Sequence, residues 1–440
     1  LPPQTTSLLA APPVLNLDSD GRPLTFPRAL TGPHSASWFA AAAADLTMLF
    51  RESGCLVPTL TPASRPTYFK QVVKEKLVEG TGAGNSPVQV KRRVRGTAGG
   101  DRVTVPYSCS TATASMSLVK IILNAVVSED SIFGTLDVRN FYYGADIFGT
   151  PPSIRIPLRH YSPSLLSELG LTPFVQTDRA GHPFLFADVK KCIPGLPQSG
   201  LLSQLRLLSH LESHGYHETD TPMLFRHVSR PISFTLVVDD FGIKYSDIAD
   251  YEHLRTCLEE QYEVTGSPVG TQYLGYSISH DRPSRTISLS IPGYIAKLLQ
   301  SVRPDGVKHS RSPFIYEGVV YGSTAPQISP VDSSPPATAA EAKTLQQVVG
   351  SLLYYARAVD YSMLPAVAAL SALQSLPTSA TISKMERLLG YAAAFPNASL
   401  TIRPSDMLLR IHSDASHLSR PKSGSVAGGF HYLGTSDPLF

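Results

Sequence analysis

The sequence predicts a mixed α+β fold in two or three domains, and three observations carry that expectation. A chain of 440 residues with 42% hydrophobic content can bury a large core and divide it between domains. Two stretches, 68–96 and 234–245, read as strand, turn, strand: β-branched and aromatic runs broken by Gly-rich or Asp/Gly punctuation. Around them, apolar residues recur at helical spacing over 35–51, 111–128, 342–375 and 381–395.

In chain order, residues 1–33 are rich in Pro, Leu and small residues and read as an irregular lead-in. The helix at 35–51 contains "WFAAAAADLTMLF", which Asp45 interrupts. No run approaches the roughly 18 apolar residues of a membrane span, and no signal peptide is visible. Residues 68–96 form a hairpin, "YFKQVVKEKLV" and "VQVKRRVRG" joined by "EGTGAGNSP". That loop lacks the Lys-Ser/Thr ending of a phosphate-binding P-loop and leads into a strand, so it is not a nucleotide fingerprint. In 111–128, Met116, Val119, Ile122, Leu123 and Val126 share a helical face, with Ser110 or Thr111 as N-cap. A Pro/Ser/Thr/Ala-rich stretch at 323–340 reads as a linker, and a strand–turn–strand pattern closes the chain at 407–433. The net charge of +3 is compatible with nucleic acid without indicating it. Cys55, Cys109, Cys192 and Cys257 are widely spaced with no CxxC, which argues against a zinc motif or a disulfide scaffold and for an intracellular protein. The chain begins with Leu and reads as a piece of something longer.

The candidate chemistry starts at "FTLVVDDFGIKY", residues 234–245. Asp239 and Asp240 stand at the expected hairpin tip. By themselves they read either as turn formers, Asp close to Gly being a common turn signal, or as carboxylates presented to a metal. A second acid favours the metal: "IFGTLDVRNFYYG" is an apolar strand whose far end carries Asp137, followed by Phe141, Tyr142 and Tyr143. Carboxylates on two strand ends suit Mg²⁺, which takes hard oxygen ligands, and suit a two-metal phosphoryl-transfer site. Between the two acidic stretches lies "PGLPQSG" (194–200), a Pro-Gly loop before a helix, with Gln198 near the helix start. His210 and His214 are one turn apart on that helix, but Gly215 should end it and move His217 off the face, so a zinc site is not indicated.

The order of these motifs resembles the reverse transcriptase of copia-type LTR retrotransposons. "TLDVRNFYYG" is similar to the first catalytic motif of that family, "GLPQSG" to its nucleotide-contacting motif, and "LVVDDFGIKY" to its variant of the Tyr-x-Asp-Asp box. "QYLGYSIS" (272–279) is similar to its primer-grip hairpin. Upstream "GPHSASW" and "VKRRVRG", and downstream "LQQVVGSLLYYARAVD" and "IHSDASHLSRPKSGSVAGGF", extend the resemblance over most of the chain.

The resemblance implies a right-hand fold of fingers, palm and thumb, with an antiparallel palm sheet, then a helical connection and a truncated ribonuclease H-like piece. The implied segments are a lead-in and helix at 1–63, fingers and palm at 64–280, thumb or connection at 281–400, and the ribonuclease H-like start at 401–440. The implied function is RNA-directed DNA polymerisation, with two Mg²⁺ ions, or Mn²⁺ in their place, on Asp137, Asp239 and Asp240. Arg93, Lys91 and Lys74 would meet the dNTP triphosphate. Gln198 would lie beside the nucleotide, and Tyr142 would exclude a 2′-hydroxyl. Strand alternation would send Phe141 and Tyr142 to opposite faces, so that only one could line the pocket. Tyr273, Leu274 and Gly275 would form the primer grip. Asp414 would match the first nuclease aspartate, in a nuclease that is not complete within this chain. Partners would be an RNA or DNA template with primer, dNTPs, and the integrase and capsid parts of a polyprotein, with no membrane. The location would be cytoplasmic virus-like particles or the nucleus. The sequence departs from the family pattern at Phe141, where a small residue is usual, at Val237, where the box has Tyr, and in having no lysine between Tyr262 and Gly270. A decayed or co-opted remnant that binds nucleic acid without catalysis remains the alternative. A palm-type cyclase is a weaker one, since it leaves the primer-grip and nuclease-like segments unexplained.

Overall fold

The computed structural model describes residues 23–78, 89–315, 332–420 and 424–436. Within these, the helices are α1 Phe26–Thr31, α2 Ser35–Thr47, α3 Met116–Ser128, α4 Pro163–Glu168, α5 Ser199–Ser213, α6 Ile248–Glu259, α7 Tyr294–Val302, α8 Ala339–Ala358, α9 Leu364–Ser371 and α10 Ser379–Ala394. The strands are β1 Leu56–Thr59, β2 Thr67–Val78, β3 Gln89–Ala98, β4 Ile132–Val138, β5 Ser153–Pro157, β6 Gln176–Thr177, β7 Pro183–Val189, β8 Tyr216–Glu218 and β9 Leu224–His227. They continue as β10 Ser233–Val237, β11 Asp240–Tyr245, β12 Val264–Ser267, β13 Gln272–Tyr273, β14 Tyr276–Asp281, β15 Thr286–Ser290, β16 Ser399–Ile402, β17 Leu408–Arg420 and β18 Gly424–Gly434. The fold is mixed α+β, as the sequence predicts. The expected lead-in up to residue 22, the Gly-rich loop at 79–87 and the linker stretch at 323–331 lie outside the described residues.

The chain forms two compact units, each drawn from two separated stretches: 23–112 with 140–213, and 113–139 with 214–436. In the first unit the sheet runs β1-β7-β5-β2-β3, with β6 on β7, and the hairpin β2–β3 is its long arm. Helix α2 lies against β3, and Trp38, Ala42, Leu46 and Leu49 join Phe69, Val94, Ile154 and Leu185 in one buried cluster.

In the second unit the main sheet runs β12-β4-β11-β10-β9-β8 and is antiparallel throughout. Its centre is apolar: Phe234, Leu236, Phe241 and Ile243 have no exposed surface, and Phe225, Phe234 and Phe241 pack ring to ring. A second sheet, β13-β14-β15-β16, and helices α7 to α10 share a core with α3, while β17 and β18 pair only with each other.

Some helix ends differ from the sequence expectation. Helix α3 begins at Met116, with the Ser115 hydroxyl as its cap accepting from Leu118 N at 3.1 Å. Ser115 itself is extended, and Ala114 N–H before it donates to Leu236 O of β10 instead of entering the helix. The periodicity over 342–375 divides into α8 and α9, since Asp360 turns the chain by accepting from Ser362 N and Pro365 starts a new helix. Of the expected linker, residues 335–338 are held in place: Pro336 bridges Thr378, Ala337 N donates to Pro377 O at 2.9 Å, and Thr338 forms a capping box with Glu341.

Candidate functional site

The acidic centre lies in the second unit, where β4 is flanked by β11 and β12. Asp137 pairs directly with Asp240 across β4–β11 and with Thr265 across β4–β12, so the three side chains share one face. Thr265 Oγ1 donates to Asp137 Oδ2 at 3.5 Å, and Val138 N donates to Asp239 O at 3.0 Å. All three aspartates are half-buried.

The hairpin tip differs from the expected one. Val237 pairs with Asp240, which leaves Val238 and Asp239 as the two-residue turn and places Asp240 at the start of β11. Val238 has φ +60°, a left-handed conformation that is costly for a β-branched residue. The glycine of "DDFG" is not a turn residue either. Gly242 lies inside β11 opposite Thr235, and a Cβ there would stand 2.6 Å from the Tyr273 ring. The glycine lets that ring lie flat on the strand.

Tyr273 thereby brings the next hairpin onto the acidic face. Its ring packs edge-on against Phe133 with centroids 5.7 Å apart, and its hydroxyl meets Thr235 Oγ1 at 3.1 Å. Burial pushes the Tyr273 phenol up, and the Asp240 charge adds to the shift. Leu274 and Gly275, both at positive φ, form the two-residue turn between Tyr273 and Tyr276. The ring of Tyr273 is buried at 4% exposure, so of the three expected primer-grip residues it is Leu274 and Gly275, in the turn, that keep accessible surface.

The other expected residues belong to the first unit. In β2–β3 the register pairs Lys74 with Arg93 and Lys76 with Lys91, so like charges face each other across the hairpin. Lys70 and Arg95 extend the same outer face. The only acid of the two strands, Glu75, is on the inner side, bonded to Arg92 at 3.1 Å, with the Arg92 guanidinium over Trp38. Arg93 Nη2 donates to Asn140 Oδ1 at 3.4 Å. Asn140 is left-handed (φ +54°) and opens the turn that holds Tyr142.

That turn is a 3₁₀ helix, Phe141–Gly144, not the extended strand that the alternation argument assumed. Phe141 and Tyr143 are buried at 4% and 8%, whereas Tyr142 is half-buried. The Arg206 guanidinium of α5 lies over Gly144, where a Cβ would stand 1.8 Å from Nη1. The loop before α5 is packed equally closely: Ala98 N donates to Pro194 O, and a Cβ on Gly195 (φ +95°) would stand 2.2 Å from Ala98 O. Gln198 is 3% exposed, and its buried Oε1 has no hydrogen-bond partner among the described residues. An orphaned acceptor of this kind costs free energy unless something donates to it. Asn140 and Arg206 were missed by the sequence reading because their roles come from contacts with Arg93 and Gly144, not from a motif.

Elsewhere, Asp414 is exposed in β17 opposite Gly428. Gly215 (φ +81°) follows α5, His214 pairs with Glu260 at 3.1 Å, and His217 lies in β8. The four cysteines are free thiols. No helix among the described residues is long and apolar enough to cross a membrane.

No known family profile matches the chain. It is 26% identical over 249 residues to the transposon Ty5-1 protein of Saccharomyces cerevisiae, covering 56% of this chain and 77% of that protein. Among solved structures, the foamy viral protease-reverse transcriptase dRH with double-stranded DNA is similar at a TM-score of 0.43 and 13% identity, over 85% of this chain and 51% of that one. The foamy viral protease-reverse transcriptase with an RNA/DNA hybrid gives 0.43 and 15%, over 84% of this chain and 39% of the other. The chain spans about half or less of those viral chains. Its similarity to a retrotransposon protein bears out the resemblance that its motifs carry.

Proposed function

We propose that the chain is an RNA-directed DNA polymerase of a copia-type retrotransposon, with the second unit's main sheet as palm and the β2–β3 hairpin in the fingers. The observation that carries this reading is the pairing of Asp137 with Asp240 beside Asp239 at the adjoining turn. Like-charged carboxylates directly opposite each other destabilise a sheet, and a divalent cation offsets that cost. Three hard oxygen donors on one sheet end fit Mg²⁺, so Asp137, Asp239 and Asp240 would hold it. When bound, two ions supply activation of the primer 3′-hydroxyl and charge neutralisation at the leaving pyrophosphate.

The remaining roles belong to the chain itself. Arg93, Lys91 and Lys74, whose mutual repulsion favours a bound polyanion, would receive the triphosphate, with the guanidinium suited to bidentate contact. Gln198 Oε1 would accept from the nucleotide, and Tyr142 would close the space a 2′-hydroxyl needs. The turn Leu274–Gly275 would hold the primer strand. The partners would be primer–template, dNTPs and the other parts of a polyprotein.

The test is primer extension on poly(rA)/oligo(dT) with Mg²⁺. Extension by the wild-type chain and its loss in a folded Asp239→Asn variant are the expected results, the missing charge costing several kcal/mol of transition-state stabilisation. Near wild-type extension by that variant would exclude the two-metal assignment. Nucleic-acid binding without extension by the wild type would favour the inert remnant.

A further inference from the structure

β3 is the last strand of its sheet, so the N–H groups on its outer edge have no strand to pair with. Two of them are occupied from outside the sheet. Ala98 N–H donates to Pro194 O at 2.9 Å, and Gly96 N–H donates to Asp45 Oδ2 at 2.8 Å. Asp45 comes from α2 and is only 9% exposed, in a helix that otherwise supplies apolar residues to the core. A carboxylate in that position has a specific partner and an unfavourable environment.

We propose that Asp45 is a positioning residue that clasps the free edge of β3, the strand bearing Lys91 and Arg93, and that ionisation of its carboxyl loosens the clasp. Its bearing on nucleotide binding rests on the polymerase reading above; the clasp itself does not.

The groups that face Asp45 come from β3 and from the segments that hold Tyr143 and Tyr161. Burial pushes the carboxyl up from 3.8 to about 7, opposed by the Gly96 hydrogen bond and by the charges of Arg95 and Arg93 on β3. Tyr143, in the turn after Asn140, and Tyr161, ahead of α4, face it as phenols; burial raises both, and the Asp45 charge raises them further. Helix α2 carries no other charged residue.

The sign follows from linkage. With the clasp closed, the carboxyl titrates near 7; with it open and hydrated, near its ordinary 3.8. The closed form therefore holds its proton more tightly. Closure is strongest below the open-form value, weakens as pH rises between the two, and levels off above 7. A neutral side chain of the same shape removes that dependence.

The test is hydrogen exchange of the full chain, read as the opening equilibrium of β3 amides after correction for intrinsic exchange. In the wild type, opening of the Gly96 amide should increase about tenfold from pH 5 to pH 6. Asp45→Asn, isosteric and neutral, should show no such rise and should protect β3 better than the wild type at pH 8. Asp45→Ala, with no acceptor, should open β3 at every pH. The two variants thus move in opposite directions at pH 8, which a merely space-filling role does not produce. The same pH profile in wild type and Asp45→Asn overturns the proposal, and so does unchanged protection in Asp45→Ala; if the Ala variant does not fold, the Asn comparison alone decides. In primer extension at pH 8, Asp45→Asn should lower the dNTP KM while kcat changes by less than about twofold. If no variant extends a primer, the polymerase reading fails and the exchange profiles still decide the clasp.

Discussion

Tyr142 stands between two buried aromatics and is the member of the trio with accessible surface. The distinction arises from a 3₁₀ turn, in which Phe141 and Tyr143 point into the protein and Tyr142 is left at the rim. The two neighbours should therefore respond differently to truncation. Tyr142→Ala should raise ribonucleotide over deoxynucleotide use at least about tenfold, about 1.4 kcal/mol of discrimination, in single-nucleotide extension. Phe141→Ala should instead lower stability by about 3–5 kcal/mol in urea unfolding and leave sugar selection unchanged. Relaxed selection in Phe141→Ala with none in Tyr142→Ala would mean that the gate is the other ring. The tyrosine was legible from its place five residues after Asp137. The reason it faces outward was not, because alternation applies to strands and this segment is not one.

At the scale of elements, the loop "PGLPQSG" contains two glycines with opposite requirements. Gly195 has φ +95°, and any Cβ would meet the Ala98 carbonyl at 2.2 Å, at the point where the loop is bonded to the end of β3. Gly200 lies in the first turn of α5, where a Cβ would meet only the Thr111 side chain at 3.7 Å. Gly195→Ala should cost at least about 2 kcal/mol, combining backbone strain with displacement of a packed neighbour. Gly200→Ala should be neutral or stabilising by up to about 1 kcal/mol. Chemical unfolding of the two variants checks both, and equal effects would show that the close approach at Gly195 is not maintained in solution. Sequence punctuation identified this loop, yet it could not rank its glycines. Gly242 makes the same point: it looked like a turn residue beside Asp239 and Asp240, and its actual function is to accept the Tyr273 ring.

Over the whole molecule, a net charge of +3 conceals a concentrated field. Lys70, Lys74, Lys76, Lys91, Arg93 and Arg95 share the outer face of one hairpin, and Glu75, the one acid of its two strands, is turned inward. Binding of primer–template should therefore fall steeply with salt and vary little with sequence. Lys76→Gln should reduce the slope of log K against log salt by about 1 if that side chain meets a phosphate. A flat salt dependence would remove the hairpin from the interface. The sequence by itself indicated most of the element types, the order of the motifs and which acids are candidates, because periodicity and short motifs are properties of neighbouring residues. Only the tertiary structure decided which strand pairs with which, that Asp240 is a strand residue and Asp239 a turn residue, and that each compact unit draws on two separated stretches of chain. It also decided the role of Asp45, which in the sequence merely interrupts an alanine run and in the fold accepts from an amide 51 residues away. Such contacts depend on packing between segments whose spacing along the chain carries no signal, and the energetic consequence of burying a carboxylate appears only once its surroundings are known.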